Sequence, residues 1–401
     1  MGEAAEDFNQ SEYYNDIDCE YKGTDHPHIK IYLIGVFGTA IALLNVLFNT
    51  FYTIVFVTNK SLRRSPLYYF GILAILDILL AINYIMLMSV PVYMDQFNWL
   101  WLYHIFLRYL NPMMTASNSA MFASMLLIFM ATVERLLRTF RSEKLAVFRK
   151  LLERCRPQVC FVCICVAVLY KLCTHFEIHY IRNENCTDWA EYEITATSLV
   201  ADSYFYRFWW MFVARNLIDR IIPFFLLVLI NFLIIRALKR EHQRFTVVES
   251  RLMSVSDVNN KKILRDATRA LSAVVSLYLI SQTLQVFTTF WEAFDKNSLE
   301  DHPDFYSYLN DVMSLMTLLS STLRFPVYCA CNNEIYEASK CTYQYLKATF
   351  FSAKTGEDYL PIAVNHGPKD FKPLPIVEVP PPSGTIVATT DGSQDSQDGF
   401  L

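Results

Sequence analysis

Seven apolar runs constrain this chain more than any other feature. They fall at about 31–58, 66–93, 103–138, 157–180, 206–238, 264–294 and 305–331. Each matches or exceeds the roughly 20 residues that a helix needs to cross a bilayer. Backbone polar groups must bond internally in lipid, so spans of this kind are helices. The composition agrees: 53% of the 401 residues are hydrophobic and only 18% are charged. The sequence therefore predicts an all-α membrane protein, a seven-transmembrane helix bundle over 29–331. A short amphipathic helix is predicted over 332–351, where Ile335, Tyr336, Tyr343, Leu346 and Phe350 recur at helical spacing. Residues 1–28 read as a disordered acidic arm and 352–401 as a disordered tail with Pro-Pro-Pro and a Ser/Asp/Gly end.

Charge sets the orientation. Lys60, Arg63 and Arg64 follow the first run. A basic series from Arg138 to Arg156 follows the third, and another from Arg236 to Arg265 follows the fifth. The alternate connections are acidic, with Glu184, Asp188, Glu191 and Glu193, then Asp295, Glu300, Asp301 and Asp304. The positive-inside rule puts the N-terminus outside and the C-terminus inside. Residues 1–28 lack a cleavable signal pattern, so the first run is expected to be a retained signal-anchor. Asn9-Gln-Ser11 and Asn185-Cys-Thr187 are then glycosylation sequons on the outer side, while Asn59-Lys-Ser61 lies inside and should go unused.

Catalytic and nucleotide-binding motifs are lacking: the chain has no HExxH, GxSxG or P-loop, and no cofactor is implied. His175 and His179 read as interfacial rather than metal-binding, and Lys171 as a residue that snorkels or pairs rather than a nucleophile. Nothing points to nucleic acid. The charges inside the apolar runs are more informative, because each is costly there unless it has a partner or a role. Arg215 and Asp219 are four apart on one helix face, readable as a pocket wall or as an internal pair. Glu134-Arg135 ends the third run, Asp77 lies within the second and Arg324 near the end of the seventh.

These marks fall in the order found in rhodopsin-like G-protein-coupled receptors. Glu134-Arg135 resembles the family's acid–Arg motif at the inner end of helix three. Leu73-Ala-Ile-Leu-Asp77 is similar to its LAxxD, Asn49 to its helix-one Asn and Pro223 to its helix-five proline. Arg324-Phe-Pro-Val-Tyr328 resembles its NPxxY. The resemblance covers about residues 30–350. It implies an outside ligand, most simply a neuropeptide, acting on a heterotrimeric G protein at the plasma membrane, with membrane lipid around the helices. Glu134, Arg135 and Tyr328 would serve coupling, with Asp266 a further partner for Arg135. Ser117, Met121, Gln285 and Asp311, with Arg215 and Asp219, would face the ligand. Cys341 would be a palmitoylation site. Tyr109-Leu-Asn-Pro112 narrows the likeness toward invertebrate FMRFamide-type receptors. A chemosensory receptor for a small molecule, or a seven-helix transporter, are the alternatives.

Departures from the pattern matter. Gln282 and Leu284 replace the helix-six tryptophan and proline, so that helix should kink less. Ser117 stands where amine receptors have Asp, and Leu318 where opsins have Lys. Leu110 replaces the family's outer helix-three cysteine, which leaves Cys186 to bond Cys19, to bond Cys173 or to stay free. Arg324 stands where the family has Asn. With Asp77, Ser124 and Asn49 nearby by family spacing, its guanidinium either pairs with Asp77 in place of the family's sodium ion or snorkels to the inner interface.

Overall fold

The computed structural model describes residues 19, 21, 23–65, 67–139, 143–248, 255–295 and 301–355. Asn9, most of the N-terminal arm and the tail beyond Thr355 lie outside the described residues. The chain is mostly helical. Six helices are long and apolar enough to cross a membrane: α1 Pro27–Thr58, α2 Tyr68–Phe97, α3 Leu100–Arg138, α4 Arg156–Phe176, α5 Phe205–Ala237 and α6 Arg265–Phe294. A further helix, α7 Pro303–Cys331, is not one of the six and carries the buried Asp311 and Arg324. It packs between α1 and α6 and touches α2. Asn333–Thr355 forms α8, which ends four residues beyond the expected boundary at 351. The Asn332 side chain starts it by accepting from the Glu334 N–H at 2.9 Å and the Ile335 N–H at 3.3 Å.

The structure adds detail at three places. The all-α reading omitted a β-hairpin, β1 Ile178–Arg182 paired antiparallel with β2 Tyr192–Ala196 in register Tyr180↔Ile194. The fourth apolar run was read to 180, but the helix tightens over Leu172–Phe176 and gives way to β1. A continuous apolar run cannot by itself distinguish a helix end from an adjoining strand. The described residues of the arm from Cys19 onward include contacts with the C-terminal end of α2. The Tyr21 hydroxyl donates to Asp95 at 2.9 Å, and the Thr24 N–H donates to the same carboxylate at 2.6 Å.

Packing follows from residue size. Gly71 brings α2 against α1 so closely that a Cβ there would meet the Phe56 ring at 2.5 Å. Small residues permit this approach, and in lipid such dispersion contact replaces the hydrophobic drive. Around it, Tyr52, Val55, Leu73, Leu127, Leu227, Leu271 and Tyr328 belong to one buried core. Phe161, Leu169, Phe225, Leu229, Phe232 and Ile280 are exposed, as a lipid-facing belt requires. α6 belongs to an unbroken helix, Val255–Phe294, with no proline. α5 instead opens into wide π turns over Phe205–Ala214 and Leu217–Ile221. Pro223 follows the second of these. It has no N–H for the Asp219 carbonyl, which explains a local change of helical pitch there.

Candidate functional site: charges inside the helix bundle

Among the described residues, polar groups within the apolar helices gather into clusters built across helices, three of which carry charge pairs or networks. In the first, Arg324 of α7 donates through Nη1 to the Asp77 carboxylate of α2, with the two residues 3% and 1% exposed. Either charge alone would be left desolvated, so losing one partner costs about 3–5 kcal/mol. Asn49 of α1 donates to Asn45 Oδ1 at 2.8 Å, and Asn45 donates in turn to Ser321 of α7. Ser124 of α3 and Ser320 of α7 are buried with hydroxyls that hydrogen-bond to nothing else among the described residues. Tyr328 stacks on Phe70 with ring centroids 4.4 Å apart. Pro326, two residues past Arg324, sits inside α7 and removes one backbone donor from the same turn of the core.

The second cluster lies at the C-terminal end of α3. Glu134 is 1% exposed, and its carboxylate accepts from Arg156 Nη2 at 2.7 Å, Arg156 Nε at 3.1 Å and Arg138 Nη2 at 2.9 Å. Arg156 opens α4 and also donates through Nη1 to the Arg64 carbonyl at 3.0 Å. One guanidinium thus ties α3, α4 and the short helix Lys60–Arg64 together. Arg138 reaches on to Glu153 at 3.2 Å. Arg135 is buried beside this network, 4% exposed. In the sequence Arg156 is one of many loop cations. Its position at the first turn of an apolar helix was the available signal.

The third cluster occupies the opposite end of the bundle, between α4, α5 and the hairpin. Arg215 and Asp219 do not pair with each other, which removes the internal-pair reading. Arg215 Nη1 bonds both oxygens of Glu177 at 2.8 and 3.0 Å, and Asp219 accepts from Lys171. Tyr206 adds a bond to Glu177 at 3.0 Å. Lys171 lies over the rings of Tyr170 and Phe122, 5.0 and 5.6 Å from their centroids, a second source of attraction for the ammonium. Glu177 had no part in the sequence reading, because it sits in the tight link between α4 and β1, where its direction depends on how the helix ends. Asp311 of α7 is also engaged: Lys30 of α1 lies 3.6 Å from it and donates to Ser307 at 2.7 Å. Gln285 donates to Thr317 at 3.2 Å. Ser117 is half-buried and Met121 is 41% exposed. Arg220 of α5 donates to Thr289 of α6 at 3.0 Å.

Over this end the chain is cross-braced. Cys19 and Cys186 form a disulfide, and Cys173 is a free thiol. Tyr21 packs on Tyr103 and Trp189. Burial and the neighbouring Asp95 carboxylate hold the Tyr21 hydroxyl well above the ordinary tyrosine range. The hairpin rests on α3 through Tyr103 Oη to the Tyr192 carbonyl at 2.9 Å and Tyr180 Oη to Asn111 at 2.8 Å. Asn185 is exposed at the hairpin end, next to Cys186, and Cys341 is exposed on α8. Among the described residues no cluster of His, Cys, Asp and Glu has the geometry of a metal site.

A bundle of membrane-length helices carrying buried charge pairs across its interior is a multi-pass helical membrane protein. No protein-family model matches the chain, and none of the curated proteins compared with it is a match.

Proposed function

We propose that the chain is a rhodopsin-like G-protein-coupled receptor of the plasma membrane, with an extracellular neuropeptide as its ligand. In this reading α7 is the seventh span, the Cys19–Cys186 brace lies outside, and α8 lies on the inner membrane face. Asn9 and Asn185 carry glycans and Cys341 a palmitoyl chain. The observation that carries the proposal is the buried Glu134-Arg135 pair at the end of α3, with Glu134 held by Arg138 and Arg156. Buried charge at a helix end is costly to keep. A network that can exchange partners is a two-state element that ligand binding could bias. Tyr328, stacked on Phe70 in the same half of the bundle, supports the likeness to the family's helix-seven motif.

The test is G-protein dissociation in cells expressing the chain, challenged with amidated neuropeptides and small metabolites, with Arg135→Ala in parallel. A peptide response that the substitution reduces supports the proposal. A response to small metabolites alone transfers it to chemoreception. The Asp77–Arg324 pair deep in the bundle favours a second reading, a transporter with paired midplane charges. Ligand-independent solute flux, together with basal signalling unaltered in Arg135→Ala, would favour that reading.

A further inference from the structure

Most charges buried among these helices have an opposite charge in contact. Lys30 has Asp311, Lys171 has Asp219, Arg215 has Glu177 and Arg324 has Asp77. Arg220 breaks the pattern. It lies near the middle of the 33-residue α5, half-buried, and its hydrogen-bond partner is the neutral hydroxyl of Thr289 at 3.0 Å. No carboxylate among the described residues reaches it: Asp219 turns to Lys171, and Glu292 accepts from Tyr306. An arginine at membrane depth keeps its charge, and such residues pair or mark a substrate path. Thr289 is itself oriented, donating to the Gln285 carbonyl at 2.9 Å, so its oxygen is presented to Arg220. The π turn Leu217–Ile221 ahead of Pro223 sets the direction of the Arg220 side chain toward α6. Wide turns of this sort re-aim side chains and recur at functional sites.

We infer that Arg220, held by Thr289, is the anchor for an anionic group of the ligand, a carboxylate that the planar guanidinium fork takes through its remaining N–H donors. This deepens the receptor proposal and rests on it for the word ligand. The acidic outer loops attract cationic molecules, whereas the Arg220 guanidinium, bonded to a hydroxyl and to no described carboxylate within 4 Å, favours an anionic group. The ligand therefore carries a carboxylate that enters as the counter-ion of Arg220. It sits either on a small organic acid or on a peptide.

The experiment is thermal unfolding of the full chain in nanodiscs. The probes are benzoate against benzamide, and the dipeptide Phe-Phe as free acid against its amide. Wild type, Arg220→Gln and Arg220→Lys are compared. The acids are expected to raise the unfolding midpoint and the amides are not. Arg220→Gln is expected to abolish the shift and Arg220→Lys to reduce it, since lysine keeps the charge but loses the fork. Benzoate activity points to a small acid, and activity of the dipeptide acid alone to a peptide. Equal response to acid and amide, an undiminished shift in Arg220→Gln, or no response to either acid overturns the inference. The acid–amide comparison in wild type stands even if a variant fails to fold. Binding without G-protein dissociation would remove the receptor proposal and leave the site. Signalling by an amide that Arg220→Gln does not alter would do the reverse.

Discussion

Arg156 at the start of α4 grips Glu134 at the end of α3 through Nη2 at 2.7 Å and Nε at 3.1 Å, while its Nη1 holds the Arg64 carbonyl. A side chain that closes three backbone segments around one buried carboxylate contributes more than an exposed ion pair. Arg156→Gln should lower stability by about 1–3 kcal/mol, the range for a lost charged hydrogen bond with a second cation still present. Glu134→Gln combined with Arg156→Gln should cost less than the sum of the two. Unfolding midpoints in nanodiscs check both. Strict additivity would mean the two side chains do not act together.

The Asp77–Arg324 pair should behave as a unit. Asp77→Asn and Arg324→Gln should each lose about 3–5 kcal/mol, because each strands a buried charge, and the exchanged pair Asp77→Arg with Arg324→Asp should recover part of the loss. With the guanidinium already at the carboxylate, replacing choline by sodium in the buffer should leave the unfolding midpoint unchanged. A sodium-dependent rise that disappears in Asp77→Asn would overturn this.

Reduction of Cys19–Cys186 should loosen this brace without unfolding the bundle. A native disulfide is typically worth about 2–4 kcal/mol. Cys19→Ser with Cys186→Ser should lower the unfolding midpoint and make the peptide bond region around Gly23 sensitive to protease. The non-reduced peptide map of wild type should contain the Cys19–Cys186 pair and leave Cys173 free.

Glycan mapping tests the orientation. Asn185 is exposed at the hairpin end, so Asn185→Gln should remove one glycan increment from the protein expressed in cells. Asn59→Gln should remove none. A glycan on Asn59 would invert the topology assigned from charge.

The tyrosine brace predicts a pH limit. The Tyr21 hydroxyl is held above its ordinary value by burial and Asp95, so the folded state keeps this proton longer than the unfolded chain. Stability from this group is full below about pH 10 and falls as pH rises beyond it, where only the unfolded chain gives up the proton. Tyr21→Phe should reduce that alkaline dependence, read as the difference between the two proteins' midpoints against pH.

How much was legible is best seen in particular residues. The helix positions were readable, because apolar length and flanking charge are local properties. Six of the seven runs reappear as membrane-length helices within a few residues. Glu134, Arg135, Asp77 and Arg324 were readable as special, because a charge in an apolar run is conspicuous. Their partners were less so. Arg215 is readable in sequence as a pocket wall or as the partner of its helix neighbour Asp219, but in space it meets Glu177, which belongs to the turn into a strand. Arg156 was hidden among loop cations until the start of α4 placed it beside Glu134.

The sequence by itself determined that the chain must be a set of apolar helices, and which of their residues would be costly to bury. That follows from hydropathy and backbone hydrogen bonding, which depend on residues close together in the chain. Tertiary structure alone decided which charge satisfies which. Ion pairing is a contact between side chains far apart in sequence, set by where α4 ends, where α5 widens and how α7 turns toward α2. It also decided that Arg220 faces a hydroxyl instead of a carboxylate.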